Sequence, residues 1–191
     1  MRTLFNIAVF LICGLGLGYC TADYSMQEGL ATVSVRNGPW IVWPLAGSAD
    51  ADPYTIAHFA ANGHLPLTAF EALTFRANTD DHGQPLDQSC EYFVEGRAFK
   101  ARWWSLTAYQ NDRNFIANKA QRYSFNSQNI VYTGQGEFQV ALASDARPGN
   151  WLPLKNSGTF QLTLRLYNPD SDMRGSLQEL LLPKIKKVGC T

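Results

Sequence analysis

The stretch Arg102-Trp103-Trp104-Ser105-Leu106-Thr107-Ala108-Tyr109 restricts the fold of this chain more than any other. It is dense in aromatic and β-branched residues and holds no Gly or Pro, so it reads as a strand. Side chains alternate across a strand, which puts Trp104, Leu106 and Ala108 on one face and Trp103, Ser105, Thr107 and Tyr109 on the other. The first face suits a core. The second mixes rings with hydroxyls, and two readings of it stand. It is a binding wall, or it is the solvated outer face of a sheet whose Tyr and Thr serve β-propensity and cross-strand pairing.

Residues 160–167 repeat the pattern more cleanly. Phe160, Leu162, Leu164 and Leu166 point one way, and Gln161, Thr163, Arg165 and Tyr167 the other. If the two strands are neighbours, their polar faces combine, and Trp103, Tyr109, Arg165 and Tyr167 become the candidate ligand-binding residues. Rings supply stacking area and polar groups supply orientation, which suits a sugar ring or an envelope glycan.

Further short strands are expected over residues 40–44, 74–78, 90–94, 138–142 and 185–188, with a possible one at 31–35. Glu95-Gly96 reads as a turn, residues 147–153 as a loop, and residues 123–125 with 130–133 as a hairpin-like pair. One short helix is expected. Asp52 is a good N-cap, Pro53 suits the first helical position and Gly63 suits the C-cap. Tyr54, Ala57, Ala60 and Ala61 follow helical spacing, so the helix is expected to pack through small residues. A second helical piece is expected over 68–73. Many short strands and one small helix give a mainly β fold, a jelly-roll-like antiparallel β-sandwich.

The first 22 residues are of another kind. Arg2 precedes an apolar run from Leu4 to Cys20. Two readings remain: a secretory signal peptide cleaved near Ala22, or an uncleaved transmembrane signal anchor. The run is long for a signal core, which favours the anchor. Both readings export the remainder, because Arg2 stays inside. In a bacterium that is an inner-membrane protein with a periplasmic domain, or a periplasmic protein after cleavage. Neither Cys13 nor Cys20 carries the small preceding residue of a lipoprotein signal. The chain therefore divides into residues 1–22 as leader or anchor, 23–36 as linker and 37–191 as one sandwich domain.

Cys90 and Cys190 remain in the exported part and suggest one disulfide, with two buried free thiols as the alternative. Lys+Arg and Asp+Glu are each 16, so the formal net charge is 0. No basic run exists, and nucleic acid is not an expected partner.

The motifs at Trp103-Trp104-Ser105-Leu106-Thr107-x-Tyr109, Asn150-Trp151-Leu152-Pro153 and Leu164-Arg165-Leu166-Tyr167-Asn168-Pro169 resemble the DUF1214 family. Asp52-Pro53-Tyr54-Thr55 and Cys90-x-Tyr92 look like further matches to its small membrane-anchored bacterial members. The resemblance spans most of residues 37–188. It implies a jelly-roll-like sandwich, no established activity, and a possible DUF1254-type partner protein. Gln110 departs from the pattern, where an Asp is expected after the Tyr.

Catalytic signatures are sparse. Ser105 lacks a nucleophile-elbow context. His58, His64 and His82 match no zinc spacing, and Asp80-Asp81-His82-Gly83 fits a turn better than a calcium loop, so no metal and no cofactor are expected. A carboxylate pair drawn from Glu71, Asp80, Asp81, Asp87, Glu91, Asp112 and Glu137 could still converge in space. The leading expectation is a non-catalytic envelope binding or accessory module. The alternative is a glycan- or ester-processing hydrolase with its acids at one end of the sandwich.

Overall fold

The structure is a computed structural model that describes residues 2–28, 33–61, 63, 65–155 and 157–190. The elements run α1 (Arg2–Glu28), β1 (Val35–Asn37), β2 (Trp40–Val42), α2 (Pro53–Ala61), β3 (Ala72–Ala77), β4 (Cys90–Arg97), β5 (Ala101–Gln110), β6 (Ser124–Asn126), β7 (Glu137–Ala143), β8 (Asn150–Pro153), β9 (Phe160–Pro169), α3 (Ser171–Gly175) and β10 (Lys184–Cys190). Among the described residues, ten strands form two sheets, a six-stranded sheet β1-β2-β3-β9-β5-β6 and a four-stranded sheet β10-β4-β7-β8. Together they make a β-sandwich, antiparallel throughout except for the parallel β7–β8 pair.

The two most alternating segments are central neighbours. β5 and β9 pair antiparallel with Trp103 opposite Tyr167, Ser105 opposite Arg165, Thr107 opposite Thr163 and Tyr109 opposite Gln161. This register sends Trp104, Leu106 and Ala108 into the core together with Leu162, Leu164 and Leu166. The opposite sheet supplies the other half. Trp104 stacks on Phe138 of β7 with ring centroids 5.1 Å apart, and Phe160 meets the edge of Tyr92 of β4 at 5.7 Å. Each such buried ring contributes roughly 1.5–3 kcal/mol by area, with a further fraction from ring geometry. The Tyr92 hydroxyl is not stranded there, since it accepts the backbone N–H of Asp87 at 2.9 Å.

Several expected elements differ. Glu95-Gly96 is no turn, because β4 runs through to Arg97. A Cβ on Gly96 would meet the Phe138 ring and the Pro183 side chain, so the glycine lets another element approach the strand. The segment 147–153 is not all loop, since Asn150–Pro153 pairs with β7. Residues 130–133 do not pair with β6. That strand adds to β5 instead, and Val131 is held by the Asn150 side chain in both directions, at 2.8 Å each. The second helical piece is a single turn before β3, and α3 is a further short helix. Of the possible strand at 31–35, Ala31 and Thr32 lie outside the described residues, and β1 begins at Val35.

α2 forms as its cap predicts. Asp52 Oδ1 accepts the backbone N–H groups of Tyr54 and Thr55 at 3.0 Å each. Its packing face is not the expected one, however. Thr55, His58 and Phe59 are buried, while Tyr54, Ala60 and Ala61 are exposed. Flat rings on one side of the helix outweigh the small residues on the other.

α1 is long and apolar enough to cross a membrane, and a signal sequence meets the same description. It runs past residue 22 into the segment 23–36. Its 27 residues extend about 40 Å at 1.5 Å per residue, against a hydrocarbon thickness of about 30 Å.

Cys90 and Cys190 are disulfide-bonded and face each other in the β4–β10 register. The bond closes a loop with a sequence separation of 100 residues, tying the edge strand β10 to the sheet. Replacing both cysteines with Ser should cost about 2–4 kcal/mol, or roughly 5–15 °C in melting temperature. Differential scanning fluorimetry with and without reductant checks this. Reductant should lower the melting temperature of the wild type and leave the double variant unchanged.

Candidate functional site

The polar face of the β5–β9 pair is not an open sheet surface. Ser105, Thr107 and Thr163 are only 7%, 4% and 3% exposed. Alternation on the neighbouring strands extends this face across β3, with Thr74 opposite Arg165 and Arg76 opposite Thr163, and to β2, with Ile41 opposite Arg76. Trp43 follows β2 with the same parity as Ile41. The described part of residues 43–70, including α2, packs over this side. Gly47 permits part of that packing, since a Cβ there would collide with the Pro66 carbonyl.

Two adjoining cavities result, of about 140 and 340 Å³. Trp43 and Arg76 line both. The smaller is closed by Phe59, Thr74, Arg165 and Tyr167. The larger opens towards Asn78, Asn111, Arg113 and Gln161.

All four candidate wall residues, Trp103, Tyr109, Arg165 and Tyr167, share this face but form two groups. Trp103 and Tyr167 pair at one end with ring centroids 5.3 Å apart. At the other end Arg165 reaches past Thr163 and donates to the Tyr109 hydroxyl at 3.2 Å, its guanidinium 5.6 Å from that ring. Tyr109 in turn stacks on Phe115 at 5.3 Å. Arg76 and Trp43 complete the site and were not singled out by sequence. Arg76 was visible as the one charged residue among Leu73-Thr74-Phe75-Arg76-Ala77. Trp43 was hidden because its neighbours are tertiary.

Trp43 is a buried ring sandwiched by partners from α2 and β3. His58 stacks on it at 4.9 Å, Phe59 meets it edge-on at 5.8 Å, and the Arg76 guanidinium sits 5.8 Å from its centroid. Its indole Nε1 is buried and has no hydrogen-bond partner. Arg76 also faces Phe59 at 5.5 Å. Among the described residues, no carboxylate forms an ion pair with Arg76 or Arg165. Burial, and then repulsion from Arg165 and Arg113, push the Arg76 guanidinium down to about 10, so it remains charged at neutral pH.

The acids proposed for hydrolysis are used elsewhere. Glu91 pairs with Arg147 at 2.7 Å and Glu137 with Arg97 at 2.6 Å. Asp80 accepts the N–H groups of His82 and Gln84, and Asp81 accepts that of Ile185. Asp87 and Asp112 cap turns onto Ser89 and Asn114, while Glu71 is exposed. None of these seven acids lines either cavity. No group of three His, Cys, Asp or Glu able to hold a metal occurs among the described residues. His58 Nδ1 lies 2.6 Å from the Met26 carbonyl oxygen, and His64 lies outside the described residues. Trp151 is a packing anchor, its Nε1 donating to the Ala143 carbonyl at 2.9 Å. Gln110, at the position that departs from the family pattern, donates to the Phe115 carbonyl at 3.0 Å.

These features define a class: a β-sandwich behind an apolar N-terminal helix, with an aromatic and arginine-lined cleft on one sheet. A family model described as a protein of unknown function (DUF1214) matches residues 71–171, and the chain belongs to that family. The match is narrower than the span 37–188 suggested by the motifs. It takes in β3, β5 and β9 but not Trp43 or α2, so the floor of the cleft lies inside the family region and its cover outside. No curated protein matches the chain. Among solved structures, the chain is similar to the VPA0106 protein from Vibrio parahaemolyticus, at 26% identity and a TM-score of 0.61, over 73% of this chain and 36% of that one. It also matches an uncharacterised protein from Burkholderia cenocepacia at 18% identity and a TM-score of 0.43, over 62% of this chain and 29% of that one. This chain spans about a third of the length of either.

The Asp52 cap is a handle on the cover. Asp52→Ala should cost about 1 kcal/mol, roughly 2–4 °C in melting temperature. The Thr55 hydroxyl and the capped N–H groups hold the Asp52 carboxyl below its usual value. A carboxyl depressed in the folded state stabilises above its unfolded value, about 3.9, and loses that contribution as pH falls through the folded one. The difference between wild type and Asp52→Ala in thermal melts should therefore shrink between about pH 5 and pH 3.

Proposed function

We propose that this protein is a membrane-anchored, periplasm-facing binding or accessory module, whose cleft on the six-stranded sheet takes an envelope glycan or a related small polar ligand. The observation that carries this reading is the lining of the cleft. Rings and polar groups together, Trp43, Arg76, Asn78, Asn111 and Gln161, surround a cavity of about 340 Å³, which is of ligand size. The hydrolase reading is weaker, because neither cavity holds the carboxylate pair it needs.

Retention of α1 as an anchor is supported by its continuity. The stretch around Ala22 is helical, whereas a scissile bond is presented to a peptidase in extended form. The end of α1 also contacts α2 through Met26 and His58. Leu45, Tyr54, Ile56, Leu65, Leu67 and Phe70 are exposed apolar side chains, and all belong to the segment that carries α2. An anchor ending beside them would hold them against the bilayer interface. The greater length of the VPA0106 protein is consistent with a domain that works beside a further one, here a separate DUF1254-type partner.

Alkaline carbonate extraction of membranes from cells expressing the full chain should leave it in the pellet at full length. Protease added to spheroplasts should digest the sandwich. Release by carbonate, or protection from protease, would contradict the anchored, outward-facing arrangement. For the cleft, neutral envelope glycan fragments should raise the melting temperature, and Tyr167→Ala, which removes a ring from its lining, should reduce that shift.

A further inference from the structure

Arg76 and Arg165 line one cleft together with Trp43, whose indole N–H is buried without a partner. A guanidinium offers five N–H groups and no acceptor, and an indole offers one N–H and no acceptor. Burial of a cation without its counter-ion, or of an N–H without its acceptor, is unfavourable unless something else completes the site. Here both occur on adjacent side chains. Trp43 Nε1 has no partner, and the Arg76 guanidinium is covered by the Trp43 and Phe59 rings with no acid beside it. Arg165 and Arg113 both repel it.

These charges are not a consequence of overall composition, since the chain has 16 basic and 16 acidic residues. Three of the acids pair with basic residues that line neither of the two cavities, Glu91 with Arg147, Glu137 with Arg97 and Glu95 with Lys186. The arrangement is also not explained by packing, because an Arg facing two rings needs no second Arg near it. An anion between Arg76 and Arg165 would supply the counter-charge that Arg76 lacks and an acceptor for Trp43 Nε1.

We infer that the cleft beside Arg76, Arg165 and Trp43 is an oxyanion site, which takes the carboxylate or phosphate of a small polar ligand. This rests on the binding-module reading and specifies its ligand. The guanidinium of Arg76 holds the anion in a forked geometry, Trp43 Nε1 donates to a further lone pair, and Arg165 adds charge from the Tyr109 side. Asn78, Asn111 and Gln161, which line the larger cavity, receive the neutral hydroxyl-bearing remainder. A sugar acid or a sugar phosphate has this chemistry, and the two are told apart by which of them binds.

The test uses the full-length chain in detergent, followed by intrinsic-fluorescence melting. The probes are glucuronate, glucose 1-phosphate, inorganic phosphate, neutral glucose, and sodium chloride at matched ionic strength. At least one of the organic anions should raise the melting temperature by about 5–10 °C near 100 times its dissociation constant, while chloride should not. Arg76→Met should abolish that shift without lowering the ligand-free melting temperature, because it removes a half-buried cation that lacks a counter-ion and keeps an apolar side chain against the Trp43 and Phe59 rings. Trp43→Phe, which keeps a ring and removes the N–H, should weaken binding at least tenfold. Absence of any anion-induced shift, or shifts of equal size in wild type and Arg76→Met, overturns the proposal. A shift with neutral glucose that Arg76→Met leaves intact also overturns it, but leaves the glycan-binding reading standing.

Discussion

The antiparallel ladder between β5 and β9 is the interaction on which the rest depends. Its nine registered pairs run from Ala101 opposite Pro169 to Gln110 opposite Phe160. Because side chains alternate, one register decides two surfaces together. A slip of β5 by one residue would turn Trp104, Leu106 and Ala108 away from the second sheet and bring Ser105 and Thr107 into the core. The apolar stacking of Trp104 on Phe138 thus holds the polar wall in position on the far side. β3 joins β9 in the same phase and extends that wall to Arg76, and β2 carries it to Trp43.

Much of this was legible in the sequence where one rule dominates. Strict period-two patterning located β5, β7 and β9, and the pairing of the two polar faces followed from placing them side by side. Asp52-Pro53 announced the start of α2. The misreadings share a cause, which is that local signals yielded to tertiary contacts. Gly96 looked like a turn because glycine usually marks one, yet it is needed for the close approach of Phe138. Asn150–Pro153 looked like a loop because Pro and Gly surround it, yet it adds to β7 through its backbone. α2 was expected to pack through alanines, whereas His58 and Phe59 find Trp43, which precedes them by more than a turn of any helix. The cover over the polar wall left no periodic trace for the same reason.

The cleft joins a part shared with the family to a part outside the family match. The arginine-bearing strands β3 and β9 fall within residues 71–171, whereas Trp43 and α2 precede them. Paired strands place the charged groups, and the segment that carries α2 lies over them. The contact between Met26 and His58 links that cover to the end of the N-terminal helix. The cover of the cleft and the end of the N-terminal helix therefore meet on the same segment.

The central claim is that the second face of the β5–β9 sheet is built to receive a ligand. The most direct measurement is a crystal structure of the protein soaked with selenate, a tetrahedral oxyanion located by its anomalous scattering. A peak is expected in the cleft, within about 2.7–3.2 Å of both the Arg76 guanidinium and Trp43 Nε1. An empty cleft in crystals that bind selenate at exposed lysines and arginines would contradict it.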